Sequence, residues 1–187
     1  ITSPLFPDEN CTAAQPACQH APPAGKPELN KAQLDATEFY HFALATPHQR
    51  NTQDKQVQRG EALFKQTQCG ACHVPQLTTG EFAPLQALSH QTIHPYTDLL
   101  LHDMGEALAD HRPDYLATGH EWRTPPLWGI GLAQKVEPRA GFLHDGRART
   151  LLEAVLWHGG EGEKAAHAVK TMSASDRHAL IAFLKSL

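Results

Sequence analysis

The chain has 187 residues, 41% of them apolar, enough for a real core within the usual size of one domain. A formal charge of −4 at pH 7 leaves no basic footprint and argues against nucleic acid as a partner. No apolar run approaches the ~18 residues that a membrane-spanning helix requires, so no transmembrane segment is expected.

Taken in order, residues 1–27 read as a Pro-rich, irregular N-terminal extension. It begins abruptly at Ile1 without an initiator Met or a signal peptide, as expected of a piece of something longer. A helix is predicted from Asn30 to Ala45, with Asn30 as cap, Gln33 at the third helical position, and Pro47 as the stop. Leu34, Phe39, Phe42 and Leu44 supply its apolar positions. Asp54 caps a second helix running to about Gln68, directly before the stretch Cys69-Gly70-Ala71-Cys72-His73. From Val74 to about His94 only turn chemistry is visible, and a short helical turn is expected near Tyr96-Thr97-Asp98. Residues 105–149 read as loops punctuated by Pro113, Pro125, Pro126 and Pro138. Thr150-x-x-Glu153 is a capping box opening "LLEAVLWH", which Gly159-Gly160 closes. Ser173-x-x-Asp176 opens a last helix whose stripe is Leu180, Ile181, Phe183, Leu184 and Leu187. Strand signals are almost absent, so the fold class is mainly α. The organisation read here is an extension plus helix over residues 1–50 and a second body over 51–187. Gly60 with Phe64 one turn on predicts a close approach of another helix, the natural partner being the last one.

Cys69-x-x-Cys72-His73 is the attachment pattern of one covalent haem c. Two thiols must reach two vinyl groups on one side of the porphyrin, and the adjacent His73 must point at the iron. Small Gly70 and Ala71 leave room. A zinc site would need a second ligand pair at zinc spacing, and none follows. Cys11 and Cys18, with six residues between them, do not repeat the pattern and read as a disulfide. Covalent haem attachment in bacteria takes place outside the cytoplasm, where disulfides persist, so both features predict an exported, periplasmic protein.

What the iron does depends on its sixth ligand. Met104, in the turn "HDMG" after a loop, is the leading candidate, since downstream Met is the usual distal ligand of electron-transfer cytochromes. His102 and His94 are the alternatives, and Met172 reads as a core residue. "EWRTPPLWGIGL" places Arg123 beside Pro125 and Trp128, suited to a propionate carboxylate and a haem edge. "FLHDGRART" places His144 and Arg147 in a turn before a helix, suited to propionate or water contacts. His48, His111, His120, His167 and His178 read as surface residues.

Together "ITSPLFPDENCT…C", "CGACHVP", "TIHPYTDLLLHDMG", "EWRTPPLWGIGL", "FLHDGRARTLLEA" and "WHGGE" resemble one family over nearly the whole chain. It is the C-terminal haem domain of the bacterial di-haem oxidoreductases, peroxidase or "thiol oxidoreductase" proteins related to the di-haem cytochrome c peroxidases. The resemblance implies a cytochrome c-like haem domain, haem on Cys69 and Cys72, His73 proximal and Met104 distal. It supports roles for Arg123, Trp128, His144 and Arg147. The sequence carries one C-x-x-C-H where a di-haem protein needs two, so the resemblance also implies a partner haem domain N-terminal to this one in the parent protein.

Two functions compete on these residues. The first is an electron-transfer domain, His73/Met104-ligated, exchanging electrons with that second haem and with a periplasmic donor or acceptor protein. The second is a peroxidase-type enzyme with an open or displaceable distal site, for which His102 and Asp103 are candidate acid–base groups. A haem used only as a sensor or a structural staple is a third reading. Thiol chemistry has no support, because the haem motif and the disulfide use all four Cys.

Overall fold

Four polar side chains start four of the helices, each at the place the sequence marks. Asn30 Oδ1 accepts from Gln33 N–H while Gln33 returns the bond to Asn30 N–H, opening α2 (Lys31–Ala43). Asp54 accepts from Gln56 N–H at 2.7 Å to open α3 (Lys55–Gln66). Thr150 opens α5 (Leu151–Leu156) through Glu153 N–H, and Ser173 opens α7 (Ala174–Ser186) through Asp176 N–H. The last two boxes close only on one side. Glu153 reaches past the cap to accept from Arg149 N–H, and Asp176 instead pairs with Arg59 on α3.

The computed structural model describes residues 1–9 and 11–187, and these divide into two units, Ile1–Ala45 and Thr46–Leu187. In the first, the Cys11–Cys18 disulfide forms as expected, with Cα atoms 5.8 Å apart, around the short α1 (Pro16–Gln19). Thr2 and Glu28 exchange hydrogen bonds, which ties residue 2 to the approach to α2. That helix buries none of its residues, and Phe39, Phe42 and Leu44 stay exposed.

The second unit is built on α3 against α7. Val57, Gly60, Leu63 and Phe64 face Ala179, Leu180, Phe183 and Leu184, all buried. The contact depends on Gly60: a Cβ there would lie 2.0 Å from the Ala179 carbonyl oxygen and 2.6 Å from Phe183 Cβ. With no Cβ, the two backbones can approach that closely. Phe64, Tyr96 and Phe183 form a mutual cluster, with ring centres 5.3–5.9 Å apart.

Elsewhere the structure departs from the sequence reading in three places. Residues 96–98 form no helical turn. Tyr96 adopts a left-handed backbone (φ 55°), Thr97 Oγ1 donates to Thr124 O, and Asp98 Oδ1 accepts from Leu100 N–H. Side-chain bonds of this kind compete with a helix. Two short antiparallel ribbons are present: β1 (Leu77–Thr78) with β2 (Thr92–Ile93), and β3 (Leu101–Asp103) with β4 (Glu121–Arg123). A short α4 (Ala133–Val136) and an unpredicted α6 (Glu163–Thr171) complete the set. The α6 helix follows Gly162 without a side-chain cap and is held by the burial of Ala166 and Val169. The described residues are thus mainly α, and none of their helices is long and apolar enough to cross a membrane.

Candidate haem site

The α3 helix ends at Thr67, and Gln68 turns left-handed (φ 63°) to launch a 3-10 turn over Cys69–Ala71. A Cβ on Gly70 would lie 3.8 Å from the Phe64 ring, so this turn runs beside the core cluster. Neither Cys69 nor Cys72 is in a disulfide. Burial pushes both thiols above their ordinary range, and the nearby Asp98 and Glu161 carboxylates add to the effect at Cys72.

His73 follows with its ring half-buried beneath Tyr96. Its Nδ1–H donates to the Tyr96 carbonyl at 3.0 Å. A carbonyl can only accept, so the proton sits on Nδ1 and Nε2 keeps its lone pair. Burial lowers the ring's pKa to about 4, which keeps it neutral at ordinary pH. A second imidazole is prepared in the same way. At the end of α5, His158 Nδ1–H donates to the Ala154 carbonyl at 2.8 Å, and burial lowers its pKa as well. The two ring centres are 6.4 Å apart, with planes inclined at 53°.

The loops that bring His158 there are packed backbone to backbone. Gly160 has a positive φ of 49°, and a Cβ on it would lie 2.2 Å from the Asp103 carbonyl oxygen. One on Gly159 would lie 2.9 Å from Met104 O. "WHGGE" therefore seats on "HDMG". A Cβ on Gly162 would lie 3.2 Å from both His158 Cδ2 and Met104 Cε, so the thioether and the imidazole border the same glycine.

His102 stands beside Cys72, its Nδ1 3.7 Å from Sγ. Both ring nitrogens are engaged by carboxylates, Asp98 and Glu161, each at 2.9 Å. The hydrogen bond to Glu161 first, then Asp98, raises its pKa, and both ring nitrogens are already engaged. Asp103 serves the turn, its Oδ1 accepting from Gly105 N–H.

The remaining predicted residues fall into separate places. His94 and Trp128 line one cleft of about 480 Å³ with Pro47, Pro75 and Tyr96, and neither His73 nor His158 lines it. Pro125 is exposed. Arg123 is exposed on β4 opposite Leu101, so side-chain alternation puts it on the other face of the ribbon from Trp122 and His102. His144 stacks on Trp122 at 3.5 Å, nearly parallel, and the Trp122 indole N–H donates to Leu108 O. Arg147 is engaged elsewhere: it pairs with Asp145, donates to the Ala107 carbonyl, and lies 5.0 Å over the Trp157 ring. It clasps the residue next to His158. Met172 packs against the core.

His158 is the residue that sequence reading missed. Its signal is a His closing an amphipathic helix immediately before Gly-Gly, visible only as part of "WHGGE".

Two half-buried thiols beside a turn, a neutral imidazole whose Nδ1 is hydrogen-bonded, and a second such imidazole with its ring centre 6.4 Å away fit a c-type haem. A family model described as "Di-haem oxidoreductase, putative peroxidase" matches residues 1–187, the whole chain. No curated protein and no solved structure matches it.

Proposed function

The chain belongs to the di-haem oxidoreductase family, and from that premise we propose that Thr46–Leu187 is a cytochrome c-like electron-transfer body. In this reading it holds one haem covalently through Cys69 and Cys72, with His73 and His158 as the axial pair. One observation carries the choice of His158, the 6.4 Å between ring centres. A metal bonded to two imidazoles lies about 2 Å from each nitrogen, and each nitrogen about 1 Å from its ring centre, so the centres fall roughly 6 Å apart.

A bound c-type haem supplies a one-electron iron centre whose potential follows its axial ligands and its burial. The chain's own residues do the rest. The Tyr96 and Ala154 carbonyls fix the tautomers and aim both Nε2 atoms. Burial of both rings keeps protons from competing. The Arg147 clasp on Trp157 holds the end of α5 in place. With both axial positions filled by protein, the site suits electron relay better than peroxide binding.

Two other assignments each rest on a specific feature. Met104, the ligand implied by the resemblance, borders His158 at Gly162 and is the second candidate for the distal position. His102, beside Cys72 with its pKa raised by Glu161 and Asp98, is the proton donor that a peroxidase-type site would use. The Cys11–Cys18 disulfide and covalent haem attachment support export to the periplasm. There the domain would exchange electrons with a donor or acceptor protein and with a second haem elsewhere in the parent protein.

Mixing the haem-loaded, reduced protein with carbon monoxide tests the relay. The relay reading predicts no carbon monoxide complex within the mixing time, and an oxidised spectrum unmoved by stoichiometric peroxide. Fast formation of both adducts would assign the site to the peroxidase reading.

A further inference from the structure

Away from that pocket, two histidines expected to be ordinary surface residues converge on a single carboxylate. His120 Nε2 lies 2.8 Å from Glu106 Oε2, and His111 Nε2 lies 3.3 Å from Glu106 Oε1. One ligand atom from each residue falls within 4.8 Å of the other two. The two rings are 5.8 Å apart at 85°, an edge-to-face pair and not a stack.

We propose that Glu106, His111 and His120 form a second metal site, which takes a divalent transition ion such as Zn²⁺ or Cu²⁺. Around a tetrahedral ion with bonds of about 2.0–2.2 Å, neighbouring ligand atoms lie about 3.3 Å apart. The observed separations need only small side-chain adjustments to reach that geometry. Two imidazoles with one carboxylate suit zinc and copper, whereas calcium and magnesium favour all-oxygen sets. All three residues are exposed or half-exposed, so the remaining coordination positions face water and the ion has a direct entry path.

The ligands come from three segments that are already tied together. Glu106 begins a 3-10 turn, His111 sits in the following loop, and His120 immediately precedes β4. Asp110 N–H donates to Gly119 O at 3.0 Å. A Cβ on Gly119 would lie 2.5 Å from His111 Cα, so this contact also excludes other residues at 119. Met104 N–H donates to His120 O at 2.9 Å. A bound ion would therefore cross-link the "HDMG" turn to β4. Isolated ion pairs this exposed contribute little to stability, so a bound ion is what would turn this arrangement into a brace.

Calorimetric titration of the haem-loaded protein with Zn²⁺ tests the site, alongside the double variant His111→Ala/His120→Ala and the variant Glu106→Gln. The wild type should bind one equivalent that the double variant lacks, with at least roughly tenfold weaker binding in Glu106→Gln. Zinc-edge X-ray absorption on the wild type should show two imidazole ligands, a readout that does not depend on how the variants fold. Equal zinc uptake by wild type and double variant, or a zinc edge without imidazole ligation, would overturn the proposal.

Discussion

His73 and His158 each give their Nδ1 proton to a backbone carbonyl inside the protein, whereas His102 and His120 share their ring protons with carboxylates. Burial lowers the pKa of the first pair, and Glu161 or Glu106 raises that of the second. One side chain thus appears in two states within a single unit. A neutral partner and partial burial leave an imidazole with a free lone pair on its other nitrogen. A charged partner near water favours the protonated ring, whose proton must leave before the nitrogen can bind a metal. The chain has 13 His, and their partners, not their number, set which keep a ring nitrogen free of a proton.

The strongest way to break this contrast is to remove the packing that keeps the first pair dry. In Gly60→Val the new side chain would meet the Ala179 carbonyl, which a Cβ alone already approaches to 2.0 Å. Overpacking of this kind typically costs about 1–3 kcal/mol, and a backbone clash places this site at or above the top of that range. Urea unfolding of the haem-loaded variant should show a clearly lower midpoint, and an unchanged midpoint would mean that α3 and α7 do not meet as described.

A smaller change sharpens the other side of the contrast. Because the folded pKa of His102 is raised, its pairing stabilises fully below the unfolded value of about 6.5 and fades as pH rises through the folded pKa. Glu161 is shifted the opposite way, so its share is present above the unfolded carboxyl value of about 4.3 and is lost on acidification. Glu161→Gln should therefore lower the thermal midpoint most near pH 6 and least near pH 9. Melting curves that stay parallel from pH 6 to pH 9 would show that Glu161 does not raise the His102 pKa.

Much of the fold was legible because it is local. Asn30, Asp54, Thr150 and Ser173 mark helix starts by bonds that reach three residues or fewer. Gly60 was legible for its pairing with Phe64 on one helical face. The α6 helix was not, because no capping side chain opens it. The ribbons were missed because two or three residues carry no period. In the site, the proposed haem motif at Cys69, Cys72 and His73 is visible in the sequence because it is contiguous. His158 lies 85 positions beyond His73, and only the seating of Gly159 and Gly160 on residues 103–105 brings the two together. Arg147 shows the reverse case. Its turn suggested a cofactor contact, while in the structure Asp145, Ala107 and Trp157 already engage it.

The pairing of His73 with His158 is tested most directly by the near-infrared absorption spectrum of the oxidised, haem-loaded wild type. A bis-imidazole iron predicts a low-spin spectrum without a methionine-to-iron charge-transfer band, and His158→Met should introduce one. A methionine band already present in the wild type, and lost in Met104→Ala, would contradict the account and give the distal position to Met104.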